Sequence, residues 1–214
     1  DSMRLVCISD THSLHSKMAP LPDGDVLVHA GDCTGSGSMD QLEDFANWFG
    51  AQPHKHKILI AGNHDFCFQR NRQLAEKTCL LHGVTYLRGK AASIDGINFY
   101  GFPWQPIFQH MAFNAREPER RGRLALVPND TDVLVTHSPA FRILDWIPDI
   151  GRHAGCNAIA QTIGRLPQLR AHICGHIHEG YGLTVRETDG AIFANASICT
   201  ERYKPTNQPI IIDL

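Results

Sequence analysis

The chain has 214 residues, 43% of them hydrophobic and 20% charged, with a formal net charge of −2. That balance suits one soluble globular domain, residues 3–214, and argues against a protein that grips extended nucleic acid by phosphate neutralisation alone. No apolar stretch approaches the roughly eighteen residues a membrane span needs.

The N-terminus carries no signal-peptide pattern, and Asp1-Ser2 ahead of Met3 reads as a cloning remnant. The seven cysteines are scattered and form no Cys-x-x-Cys pair, the pattern of reduced cytoplasmic thiols rather than of a disulfide framework.

In chain order, residues 3–9 (MRLVCIS) form a buried-strand candidate ending at Asp10-Thr11-His12. Residues 25–30 (DVLVHA) form another, ending at Gly31-Asp32. Ser38 and Gln41 resemble a helical capping box, followed by Leu42, Phe45, Ala46 and Phe49 at helical spacing up to Gly50. Residues 57–61 (KILIA) end at Gly62-Asn63-His64-Asp65, and 69–81 read as a second helix stopping near Gly83. Residues 91–102 read as a hairpin turning at Asp95-Gly96. The stretch 105–128 looks irregular. Residues 132–136 (DVLVT) end at His137-Ser138-Pro139, 156–166 form a third helix stopped by Pro167, and 170–174 (RAHIC) lead into Gly175-His176-Ile177-His178. A second hairpin spans 183–195. Alternating strands and helices imply an α/β fold with a largely mixed sheet.

In open α/β sheets, ligands bind beyond the carboxyl ends of the strands. Five such ends here carry Asp10, His12, Asp32, Asn63, His64, His137, His176 and His178. Imidazole with carboxylate suits borderline divalent ions, and the lack of cysteine ligands makes a structural zinc knot a poor fit. Asp10, His12, Asp32, Asn63, His137, His176 and His178 are too many ligands for one ion with an open position; with one carboxylate bridging they fit two.

The ordered series Asp10-x-His12, Gly31-Asp32, Gly62-Asn63-His64-Asp65, His137 and Gly175-His176-x-His178 resembles the calcineurin-like metallophosphoesterases. The later wording, GHIHEGYG from Gly175, then Asn195-Ala196-Ser197 and KPTNQP from Lys204, is similar to a narrower branch: small metallophosphoesterase-domain proteins of animal brain and their bacterial relatives. The resemblance implies a four-layer α/β/β/α sandwich. It implies one divalent ion on Asp10, His12 and His178, a second on Asn63, His137 and His176, and Asp32 between them. Manganese is the first expectation, with iron, zinc, nickel or cobalt as alternatives. A hydroxide bridging the ions would be the nucleophile, His64 would stabilise developing charge or protonate the leaving oxygen, and Asp65 would orient His64.

The expected activity is phosphodiesterase action on small nucleotide phosphodiesters, 2′,3′- or 3′,5′-cyclic nucleotides first. A phosphomonoesterase or protein phosphatase, a small nuclease, and a nucleotide-binding regulatory scaffold are the alternatives. The oligomeric state is open.

Other groups have plainer readings. His54 and His56 look like part of a solvated connector, and His15, His82, His110 and His153 lie in loops without evident partners. His29 reads as a packed core histidine, with support of the site as the alternative, His172 as packed or locally bonded, and Cys33 and Cys174 as small buried residues. The arginines of 116–123, interleaved with Glu117 and Glu119, read as a solvated face. Trp104, Phe108 and Phe113 are candidates for either a base-stacking wall or lid packing.

Overall fold

The computed structural model describes residues 2–214. Its first sheet runs, edge to edge, Ile210–Asp213, Arg4–Ile8, Val26–His29, His56–Leu59 and Thr85–Tyr86. All neighbours are parallel except Ile210–Asp213, which returns antiparallel to Arg4–Ile8. The second sheet runs Gly182–Val185, Ile192–Asn195, Ala171–Cys174, Val133–Thr136, Ile97–Phe102 and Lys90–Ile94. Its four inner strands are parallel, and each outer strand is an antiparallel hairpin arm.

The inner strands are apolar on both faces because both faces are covered. Leu5, Cys7, Val26, Val28 and Ile58 of the first sheet share one buried cluster with Phe99, Val133, Val135, Ala171 and Ile173 of the second. Residues of alternate parity, such as Val6, Ile8, Leu27 and Leu134, belong to a second cluster with helix residues Leu42, Phe45, Phe49, Ile159 and Ile163. Two sheets face each other and helices cover their backs, which is the calcineurin-like α/β/β/α arrangement.

The capping box places the first helix correctly: it spans Met39–Gly50, and Ser38 Oγ accepts from Gln41 N–H at 3.2 Å. The expected helix over 69–81 is two pieces, Cys67–Arg70 and Arg72–Leu81, because Asn71 leaves helical geometry at φ −126°, ψ 46°. The stretch 105–128 is not irregular throughout. It contains the helix Glu117–Leu124, entered through a proline in its first turn. A short ribbon pairs Trp146–Ile147 with Arg152–His153, and the last strand, Ile210–Asp213, is likewise additional to the expected elements.

The two sheets meet at one edge, where Ser9 and Ser197 form a parallel bridge and Ile198 N–H donates to Ser9 O at 2.9 Å. Asp10, Asp32, Asn63, His137 and His176 all follow strands that end at this edge. Among the described residues, no helix is long and apolar enough to cross a membrane.

Candidate metal centre

The loops after the parallel strands bring every expected ligand to one place, at a conformational cost. Asp10, His12, Asp32 and His176 all take left-handed backbone angles, with φ of 50°, 45°, 59° and 68°. Such angles cost non-glycine residues about 1 kcal/mol or more each and persist only where surrounding structure enforces them. Glycines make room: Gly31 sits at φ 100° with no space for a Cβ beside His137 Nδ1, and a Cβ on Gly175 would collide with the Asp10 carboxylate and Ser9.

Asp10, His12 and His178 form one group whose donor atoms lie within 4.8 Å of one another; Asp32, His137 and His176 form another, and His12, Asp32 and His64 a third. Asp32 is common to two of these. Its Oδ2 lies 3.3 Å from His137 Nε2 and 3.8 Å from His12 Nε2, while its Oδ1 accepts from His64 N–H at 2.8 Å.

The hydrogen bonding around these groups fits cations. His137 donates Nδ1–H to Ala30 O and His178 donates Nδ1–H to Thr200 O, so in each neutral ring Nε2 carries a lone pair aimed inward. Those lone pairs face other acceptors. His137 Nε2 is 2.8 Å from Asn63 Oδ1, and His178 Nε2 is 3.2 Å from His12 Nε2 and 3.1 Å from Asp10 Oδ1. His12 Nδ1 and Asn63 Nδ2 are buried without a partner. Acceptors forced together require a proton or a cation between them.

Protons fill that role in the metal-free protein. Burial favours neutral Asp10 and Asp32, but hydrogen bonds from His12 and His178 hold Asp10 well below its ordinary value, and the charge of His137 brings Asp32 down to about 2. Burial opposes charge on His137 and His178 as well. The charge and hydrogen bond of Asp32 nevertheless push His137 up to about 10, and Asp10 pushes His178 up to about 9. His176 goes the other way, to about 4, through burial and the charge of His137. Two divalent ions would displace these protons and neutralise the same carboxylates.

His64, half-buried at the rim, donates Nδ1–H to Gly35 O at 2.9 Å. The expected orientation of its ring by Asp65 is therefore corrected. The buried Asp65 carboxylate accepts from the backbone N–H groups of Asp32, Cys33, Thr34 and Gly62 and from Thr34 Oγ1, at 2.6–3.3 Å. It ties two ligand loops together. Burial and the charge of Asp32 raise its pKa, against those hydrogen bonds.

Several other expectations resolve in the same terms. His29 accepts from Gly31 N–H and holds Thr11 Oγ1 at 2.9 Å, so it props two ligand loops from within the core. His54 is buried against Pro22 O rather than solvated, and His15, His82 and His153 find Asp44, Glu43 and Asp145. His172 bonds across to Thr136 Oγ1 on the adjacent strand at 2.8 Å rather than locally. Burial lifts the Cys33 and Cys174 thiols well above their ordinary range. Arg121 and Arg123 pair with Glu117 and Glu119 one turn away, and Arg120 is buried on Ala115 O.

A cavity of about 300 Å³ opens beside the ligands, with Asp32, Asn63, His64, His176 and His178 on its wall. Of the three candidate aromatics only Phe108 lines it; Trp104 and Phe113 are core residues, 7% and 1% exposed. Ile107, the ribbon residues Ile147 and Arg152, Ile150 in the ribbon's turn, and Tyr203 also line it. The sequence alone does not single these out. The Tyr203 ring lies 4.9 Å from that of His12 and 5.2 Å from that of His178. It sits at φ 57° in a segment with no periodic pattern to reveal it.

A family model described as calcineurin-like phosphoesterase matches residues 3–180. Human metallophosphoesterase domain-containing protein 1 is 37% identical over 233 residues, covering 99% of this chain and 71% of that protein. The UPF0046 protein K07C11.7 of Caenorhabditis elegans is 37% identical over 222 residues, with 98% and 74% covered. Among solved structures, TT1561 of Thermus thermophilus superposes with a TM-score of 0.69 at 11% identity, over 91% of this chain and 89% of that one. At that identity the likeness speaks for the fold.

Proposed function

The chain belongs to the calcineurin-like phosphoesterases, a family of metal-dependent phosphoester hydrolases, and from that premise we propose that it is a dinuclear phosphodiesterase acting on small nucleotide phosphodiesters, cyclic nucleotides first. Asp10, His12 and His178 would hold one divalent ion and Asn63, His137 and His176 the other, with Asp32 shared. Manganese is the proposed metal. When bound, the ions supply Lewis-acid polarisation of the phosphoryl oxygens and acidify a coordinated water.

The observation that carries the small organic ester reading is the cavity: His64 and ligand residues share one wall system with Phe108, Ile147 and Ile150. A bare phosphate needs no apolar wall, whereas a mono- or diester brings an organic group to cover; hydrolysis of the two ester types decides between them. About 300 Å³ is room for a nucleotide-sized molecule. With Nδ1–H committed to Gly35 O, His64 has Nε2 free, and in the doubly protonated ring Nε2–H would supply the proton taken by the departing ester oxygen. That proton matters most for a poor alkoxide leaving group. The seven thiols are buried and unpaired, which supports a reducing, cytoplasmic location.

The test is manganese-supplemented hydrolysis of bis-p-nitrophenyl phosphate against p-nitrophenyl phosphate, with His176→Ala as control. The expected result is a strong diester preference that the control loses, followed by turnover in a cyclic-nucleotide panel. Preference for the monoester would replace this reading with a phosphatase.

A further inference from the structure

The cavity beside the ligands has walls left open to solvent. Ile107, Phe108 and Ile150 line it and are 60%, 47% and 58% exposed. Large apolar side chains gathered around one opening of a folded chain mark a binding site more often than chance. The Phe108 ring is 6.1 Å from that of His176, inclined at 78°, so this wall begins one ring's width from the ligand cluster.

Its presentation is also fixed. Asn114 Oδ1 accepts from Phe108 N–H at 3.1 Å and from Gln105 Nε2 at 3.2 Å. Asn114 Nδ2 donates to the carbonyls of Phe108 and Gln109 at 3.2 and 3.1 Å. One carboxamide thus uses both ends to clamp the backbone of a single exposed aromatic. The loop is anchored below by Phe113, buried under the guanidinium of Arg88 at 5.1 Å. A second wall is fixed in the same manner. Buried Asp145 accepts from Arg142 N–H, Gly155 N–H and His153 Nδ1 at 2.6–2.9 Å, holding the ribbon that carries Ile147 and Ile150. Clamping the backbone of a solvent-exposed aromatic so firmly has no use for the core, since Phe108 belongs to neither buried cluster.

We propose that Phe108, held by Asn114, is the platform on which the flat aromatic group of the substrate, a nucleobase, stacks while its phosphate lies at the metal ligands. Phe108 then sets the preference for base-bearing phosphates over bare sugar phosphates. This rests on the phosphoesterase reading only for the position of the phosphate.

Calorimetric binding of adenosine monophosphate and of ribose 5-phosphate to the manganese-loaded protein isolates the base, since the two probes share sugar and phosphate. The wild type is expected to bind the nucleotide about tenfold tighter. Phe108→Ala should remove most of that difference and leave ribose 5-phosphate unchanged. Phe108→Trp should keep it, and Asn114→Ala should reduce it with the ring still present. Equal weakening of both probes in Phe108→Ala, no preference in the wild type, or no binding of either probe overturns the proposal. Because the readout is binding, a protein that stacks the base but cleaves no diester would sink the catalytic reading alone.

Discussion

His64 and Asp65 are neighbours in sequence with opposite employment, and substitution should separate them. Asp65 is buried and receives five hydrogen bonds from four residues of two ligand loops. Asp65→Ala leaves buried donors unsatisfied, each worth about 1–3 kcal/mol, so urea denaturation of the metal-free protein should show a loss of about 3 kcal/mol or more. His64 is half-buried and its ring makes one hydrogen bond, to Gly35 O. His64→Ala should hold stability within about 0.5 kcal/mol while slowing diester turnover by about a hundredfold, the usual contribution of a positioned acid. A stability loss in His64→Ala matching that of Asp65→Ala would remove the distinction. The ligand residues were legible because each follows an apolar strand as an abrupt polar interruption. The job of Asp65 was not, because its partners Asp32, Cys33 and Thr34 lie some thirty residues upstream. Arg152 and Tyr203 gave no signal for a related reason: their place at the cavity depends on where irregular chain folds back.

At the scale of elements, the start of the first helix is part of the site. Ser38 caps it, while Gln41 Oε1 reaches past the cap to accept from Ser36 N–H and Gly37 N–H at 2.8 and 3.1 Å. Those two residues continue directly from Gly35, whose carbonyl orients the His64 ring. Gln41→Ala should therefore cost about 1 kcal/mol of stability and also loosen the ring. The second effect is checked by comparing diesters of graded leaving-group basicity: activity should fall most for the poorest leaving groups, with manganese affinity unchanged. A uniform loss across the series would confine Gln41 to the helix. The capping box was visible because Ser38, Gln41 and the apolar stripe lie within one short window. The break at Asn71 and the helix Glu117–Leu124 were not. Asn71 interrupts a stretch whose composition favours helix throughout, and the later helix is polar and arginine-rich, with little apolar periodicity to announce it.

For the whole molecule, the centre places two buried carboxylates where two sheets meet, and the balancing of that charge sets stability against pH. The strand ends were readable one at a time. Their convergence at one edge was not, since it follows from two sheets packing face to face through residues such as Val28 and Val135. In the metal-free protein His137 is raised from 6.5 to about 10 and His178 from 6.5 to about 9. A raised histidine contributes stability fully below its unfolded value, so both contributions are present below pH 6.5 and fade as pH rises toward 9 and 10. Asp32, lowered from 3.8 to about 2, contributes above pH 3.8 and fades as pH falls toward 2. The window in which both kinds of group contribute is pH 3.8 to 6.5. Bound ions require the imidazoles neutral, so metal stabilises most where protons no longer do. Melting temperatures with excess manganese and with chelator should accordingly sit close together near the acid end of that window and separate as pH rises through 6.5 toward 9. Two outcomes count against this charge balance: a chelated protein whose melting temperature is flat across that rise, or a manganese increment that does not grow with pH. Either would mean that the histidines at the sheet edge are neutral without metal, and that their inward lone pairs are satisfied by something other than the protons assigned to them.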